Sequence, residues 1–193
     1  MNEKLCLPQK KSKAVIIELY DWMEIMITVI LFAILIFSML IRVFSVGGES
    51  MIPTLQDGDK LIAIPFAGEI RTGDIVVFVP SDTRKRVLIK RVIAVGGQQV
   101  DIDAASGMVR VDGAVLEEGY IAEPMDSDMP VDLPMPAAVP AGCLFVMGDN
   151  RNHSYDSRAA GIGMIDERYV VGKIVYRIWP YRMLGPVTDT GNS

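Results

Sequence analysis

Val87-Leu88-Ile89-Lys90-Arg91-Val92-Ile93-Ala94-Val95 reads as a β-strand with two cations set into an aliphatic run, closed by Gly96 and Gly97. Alternate residues of a strand share a face, so Lys90 stands with Leu88, Val92 and Ala94, while Arg91 joins Val87, Ile89 and Ile93. One cation must then lie against apolar surface unless its long stem snorkels to water at a sheet edge. If Lys90 is the buried one, desolvation lowers its pKa from about 10.4 toward neutrality. A depression of about 3 units corresponds to roughly 4 kcal/mol against the charged form, and a neutral amine is a base. Arg91 cannot take that role, because a guanidinium does not deprotonate in proteins.

Working outward, other short runs rich in Val and Ile and bounded by Gly, Pro or Asp occur at residues 60–64, 74–79, 108–111, 114–116, 144–147 and 170–179. Asp112-Gly113 between two of them is a two-residue hairpin signal. No helical pattern is sustained after residue 43, so the expected fold is mainly β: an antiparallel sheet, folded or partly closed into a barrel. Residues 117–140 depart from this pattern. They hold Pro124, Pro130, Pro134, Pro136 and Pro140 with Glu118, Glu123, Asp126, Asp128 and Asp132, a composition that predicts an exposed, extended, solvated loop.

Toward the N-terminus, residues 25–41 carry no charge and are flanked by Glu24 and Arg42, with Tyr20 and Trp22 on the shoulder where amphipathic aromatics favour headgroups. No polar face recurs at helical spacing, which excludes a core helix of a soluble protein. The run exceeds the apolar region of a cleavable leader, and a retained transmembrane helix over 23–43 is expected. Lys4, Lys10, Lys11 and Lys13 precede it, so residues 1–22 are expected in the cytoplasm and residues 44–193 outside the plasma membrane, in contact with the lipid bilayer. Cys6 and Cys143 then face opposite compartments and cannot pair. With two cysteines and one histidine a structural zinc site is out of reach, and the net charge of -5 argues against a nucleic-acid partner.

Just after the apolar run comes Gly47-Gly48-Glu49-Ser50-Met51-Ile52-Pro53-Thr54-Leu55. Two glycines give access to positive φ and Pro53 fixes φ three residues later, so Ser50 sits on a constrained bend, either a turn residue or a nucleophile.

Together these stretches resemble the bacterial type I signal peptidases, the membrane-anchored Ser-Lys endopeptidases that remove signal peptides from exported proteins, in their Gram-positive-type form. The motifs Ser50-Met51-Ile52-Pro53-Thr54-Leu55, Gly73-Asp74-Ile75-Val76, Lys90-Arg91-Val92-Ile93 and Gly148-Asp149-Asn150-Arg151-Asn152-His153-Ser154-Tyr155-Asp156-Ser157-Arg158 occur in the family's order. The resemblance implies Ser50 as nucleophile and Lys90 as general base, with Ser154 holding the lysine amine and Asp156 and Arg158 as a supporting ion pair. It implies no metal and no cofactor, signal peptides of exported preproteins as substrates, and shallow pockets for alanine-sized side chains at the first and third positions before the cut.

Two departures stand out. Some members place an oxyanion-donating serine two residues before the nucleophile, where this chain has Gly48, leaving the backbone N–H of Ser50 as donor and a second donor unassigned. After Lys90 the family often continues Gly-x-Pro-Gly-Asp, where this chain has Ala94-Val95-Gly96-Gly97-Gln98.

Three rival readings use the same residues differently. A sortase-like anchored transpeptidase would draw on Cys143, His153 and Arg158, although its cysteine should follow the histidine. A non-catalytic, membrane-tethered β module would use Ser50 and Lys90 as turn and edge residues. A repressor-type Ser-Lys autoprotease would need a basic DNA-reading helix. Oligomeric state is not legible.

Overall fold

The computed structural model describes residues 9–65, 68–80 and 87–187, with side chains from Val15 onward. Lys4 and Cys6 lie outside the described residues. The chain divides into two compact units, Met1–Leu40 and Ile41–Ser193.

The first unit carries one helix, α1 (Gln9–Leu40), which contains neither glycine nor proline. Its Val15–Leu40 stretch has a mean hydropathy of 2.6. At 1.5 Å per residue those 26 residues extend about 39 Å, more than a hydrocarbon core of about 30 Å. Thr28 and Ser38 donate their hydroxyls to the carbonyls of Glu24 and Leu35, so neither adds an unmet polar group. The helix differs from the expected 23–43 at both ends. It starts earlier because Glu18, Asp21 and Glu24 interrupt the hydropathy without breaking helical backbone. It stops at Leu40 because Arg42 and Val43 join a sheet.

The second unit is mainly antiparallel β, as expected. Strands β1 (Arg42–Ser45), β2 (Lys60–Ile64), β3 (Ile75–Phe78), β4 (Leu88–Val95), β5 (Gln99–Asp103), β6 (Met108–Val111), β7 (Ala114–Val115), β8 (Ala137–Ala138), β9 (Cys143–Met147), β10 (Ile165–Asp166), β11 (Val170–Trp179) and β12 (Gly185–Pro186) form two sheets. The larger runs β1-β2-β11-β3-β4-β9-β10 with β12 added to β11, and the smaller runs β7-β6-β5-β8. The larger sheet stays open, since β1 and β10 end its order without pairing to each other. The β6-β7 turn has Asp112 at φ 51° and Gly113 at φ 82°, the two positive values of a type I′ hairpin.

Three apolar clusters fill the unit. One gathers Leu55, Leu61, Ala63, Val77 and Ile174; a second gathers Val76, Phe78, Val92, Leu144 and Val146; a third joins the two sheets through Ile93, Val100, Val109, Phe145 and Met147. Both cations of β4 are buried, not one: Lys90 is 3% exposed and Arg91 0%. Lys90 is opposite Val76 of β3, while Arg91 is opposite Ile75 of β3 and Met147 of β9. A bulge between Val92 and Ala94 breaks the strict alternation, so Ala94 packs with Ile93 in the third cluster and not beside Lys90.

Residues 117–140 are not the solvated loop their composition suggests. Tyr120, Met125 and Val139 are buried, and Met129, Val131, Leu133 and Met135 pack on the third cluster. From residue 129 to 140 odd positions turn inward and even positions, mostly Pro and Asp, turn out. Proline is tolerated there because the strap makes few ladder hydrogen bonds, and only β8 pairs with β5.

Candidate active site

Ser50 belongs to the irregular segment between β1 and β2. Met51 and Leu55 sink into the first cluster and fix the segment from below, while Ile52 N–H bonds Glu49 O at 3.2 Å and Leu55 N–H bonds Met51 O at 2.8 Å. Gly48 has φ 91°, a value only glycine takes without strain, and its N–H is bonded to Asp57 Oδ1 at 2.8 Å. Gly48 therefore shapes the bend and its N–H already has an acceptor. The Ser50 N–H has no hydrogen bond among the described residues.

Lys90 Nζ donates to Ser50 Oγ at 2.5 Å, across 40 residues of sequence. Burial against aliphatic side chains pulls the Lys90 pKa down to about 8. The charge of Arg158 acts in the same direction, and Asp156 and Asp149 partly oppose it. An amine in this state takes a proton readily from a hydroxyl that it touches.

The segment from Gly148 to Arg158 grips the Ser50 bend through its backbone. Asn150 N–H bonds the Ser50 carbonyl at 3.0 Å, and Asn150 Nδ2 bonds the Glu49 carbonyl at 3.1 Å. A Cβ on Gly148 would meet the Ser50 carbonyl oxygen at 2.5 Å and Ser154 Oγ at 2.3 Å, so this approach requires glycine. Arg158 Nε and Nη2 grip Asp156 at 2.8 and 2.9 Å, the ion pair implied by the resemblance. Burial alone would raise the Asp156 pKa, but Arg158 and the Gly148 N–H outweigh it and the carboxyl is held below its usual range.

Ser154 departs from expectation. Its Oγ is buried without a hydrogen-bond partner among the described residues and does not reach Lys90. It lies near enough to Asp156 to add to the hold on that carboxylate, behind Arg158.

Several site residues carry no weight in the sequence reading. Arg91 forks onto Asp149 with Nε and Nη2 both at 2.8 Å, donates to Gly73 O at 2.9 Å, and stacks its guanidinium 4.0 Å from the Tyr120 ring centroid. Thr54 Oγ1 donates to the same Asp149 at 2.5 Å, tying the Ser50 segment to β4. Arg151, fully buried, is paired with Glu118 of the strap at 2.5 Å. The signal for these was present only as adjacency to the dyad motifs; the pairings themselves need the fold.

A cavity of about 60 Å³ opens beside Ser50, lined by Ser45, Val46, Gly47, Met51, Val87, Leu88, Ile89 and Lys90. Cys143 lies on β9 opposite Asp166, and His153 is exposed in the 3-10 turn Arg151–His153, so the trio of Cys143, His153 and Arg158 finds no common site. Among the described residues no group of three or more His, Cys, Asp or Glu could hold a metal ion.

Residues 19–179 match the family model described as "Signal peptidase, peptidase S26". The chain is 37% identical over 150 residues to signal peptidase I of Leptolyngbya laminosa, covering 72% of this chain and 70% of that protein. It is 33% identical to signal peptidase I of Bacillus licheniformis, covering 84% and 90%, and 32% identical to signal peptidase I T of Bacillus subtilis (strain 168), covering 93% and 95%. A solved signal peptidase I from Enterococcus faecalis V583 aligns at 28% identity and a TM-score of 0.46, over 54% of this chain and 96% of that one.

Proposed function

Because this chain belongs to the S26 family of signal peptidases, we propose that it cleaves the signal peptides of exported preproteins with Ser50 as nucleophile and Lys90 as general base. The observation that carries this reading is the 2.5 Å contact between Ser50 Oγ and a Lys90 amine drawn down to about 8.

Neutral Lys90 takes the Ser50 proton as Oγ attacks the scissile carbonyl, and the oxyanion that forms is met by the Ser50 backbone N–H. The C–N bond then breaks, Lys90 passes its proton to the departing amine, and an ester remains on Ser50. Water, deprotonated by the same amine, attacks the ester and releases the new carboxylate with Ser50 restored. The Asp156–Arg158 and Asp149–Arg91 pairs each bring opposite charges together, so the amine responds chiefly to its loss of water. The 60 Å³ cavity suits an alanine-sized residue before the cut.

Helix α1 serves in this reading as a retained anchor in the plasma membrane, its lysine-rich N-terminal side cytoplasmic and residues 41–193 outside. Substrates whose apolar segments share the bilayer are thereby presented at raised effective concentration. In a cleavage assay on a preprotein, Ser50→Ala and Lys90→Ala each abolish product, while Cys143→Ala and His153→Ala retain most of it. Loss confined to the last two would support a sortase-like reading instead.

A further inference from the structure

The Ser50 segment is irregular, so its precision depends on what grips it from outside. Asn150 holds it at the Ser50 and Glu49 carbonyls. A second grip comes from β11, far away in sequence. Arg177, 5% exposed, donates from Nη2 to the Thr54 carbonyl and places Nε 3.2 Å from Asp59 Oδ2 as an ion pair without hydrogen-bond alignment. Asp59 in turn receives the Gln56 N–H at 3.0 Å and, through its own carbonyl, the Val46 N–H at 2.8 Å. One guanidinium thus braces the carbonyl four residues past Ser50 and the residue that closes the segment.

Strand alternation would aim Arg177 at the opposite face from Ile174, which is buried in the first cluster. The β11–β2 ladder instead shifts register between Ile174 and Tyr176, so Ile174 is opposite Ala63 and Arg177 opposite Leu61, both buried. The bulge turns a cation inward toward the Ser50 segment, the kind of re-aiming for which bulges are used.

We propose that Arg177 is a positioning residue for the nucleophile, a role that rests on the Ser50–Lys90 reading. Arg177→Met lowers kcat by about 10- to 100-fold, the cost of a misplaced reacting atom, with KM changed by less than about twofold. The acid limb of the pH profile stays at its wild-type position, because Lys90 is held by β4 and not by this segment. Arg177→Lys keeps a cation against Asp59 but loses the fork; it recovers the melting temperature and only part of kcat. In Arg177→Met/Asp59→Asn the lone buried carboxylate is gone, so stability returns while the kcat defect persists.

A wild-type kcat in Arg177→Met, or recovery of kcat together with stability in the double variant, would overturn the proposal. If Arg177→Met does not fold, the kcat of Arg177→Lys and of the double variant decides in its place. Ser50→Ala in the same assay separates the two claims. Cleavage by Ser50→Ala sinks the dyad itself, whereas an inactive Ser50→Ala beside an unimpaired Arg177→Met sinks only the brace.

Discussion

Lys90 is held in a state that costs stability, and that cost is measurable. Its folded pKa of about 8 lies below the value near 10.4 expected of an unfolded chain. Between those two pH values the unfolded chain holds a proton that the folded one has released, so stability should rise as pH rises from about 8 to above 10. Below about 8 both states are protonated and the burial penalty is fully present. Lys90→Met should therefore be more stable than the parent at pH 7, by up to ~3 kcal/mol, with the gap closing near pH 10.5 in parallel denaturant titrations. The catalytic counterpart under the proposed dyad is a kcat/KM that should climb with pH and level above about 8, because the proposed step needs the neutral amine. A second prediction concerns Gly148, where a Cβ would strike the Ser50 carbonyl. Gly148→Ala should lower kcat by about 100-fold in steady-state assays, and more than an alanine placed at open Gly185, away from the site. Ser50 and Lys90 were legible as residues from their motifs. The pairing of Arg91 with Asp149 was not, since strand alternation asks only which cation is buried and does not allow for a second one neutralised from another loop.

At the scale of elements, the strap over residues 117–140 teaches most. Its prolines and carboxylates suggested a loop in water, yet Met129, Val131, Leu133, Met135 and Val139 recur at odd positions and face the third cluster. That alternation was readable, but composition masked it. Met125→Ala should cost about 2–5 kcal/mol in chemical denaturation as a buried truncation, whereas Asp128→Ala on the outer face should stay within about 0.5 kcal/mol. Strands β2, β6 and β11 coincide with their sequence runs because each is bounded by turn residues and rich in Val, Ile or aromatics. The first half of strand β1 was absorbed into the expected 23–43 span, since Val43 continues the hydropathy while Arg42 pairs with Ala63. The β5 strand was missed because Asp101 and Asp103 alternate with its buried Val100 and Ile102. The bulges that reorient Ala94 and Arg177 leave no local trace in sequence, being set by pairing with distant strands.

For the whole molecule, the chain assembles its site from a bend after β1, a strand 40 residues on, and a loop about a hundred residues on, all within the unit Ile41–Ser193. That unit contains all three apolar clusters, so a protein beginning at Ile41 should fold and cleave a short soluble peptide with kcat within about twofold of the full chain. On a preprotein in vesicles the same truncation should lose at least about 100-fold in kcat/KM, the effective concentration that a shared bilayer supplies. Equal losses on both substrates would remove the anchor's proposed role. The most direct measurement is an NMR titration of Lys90 in the intact protein, following its Cε or Nζ resonance with pH. A midpoint near 8 is expected of an amine stripped of water beside Ser50. A midpoint above 10, the value of a solvated lysine, would contradict a neutral base and with it the proposed chemistry.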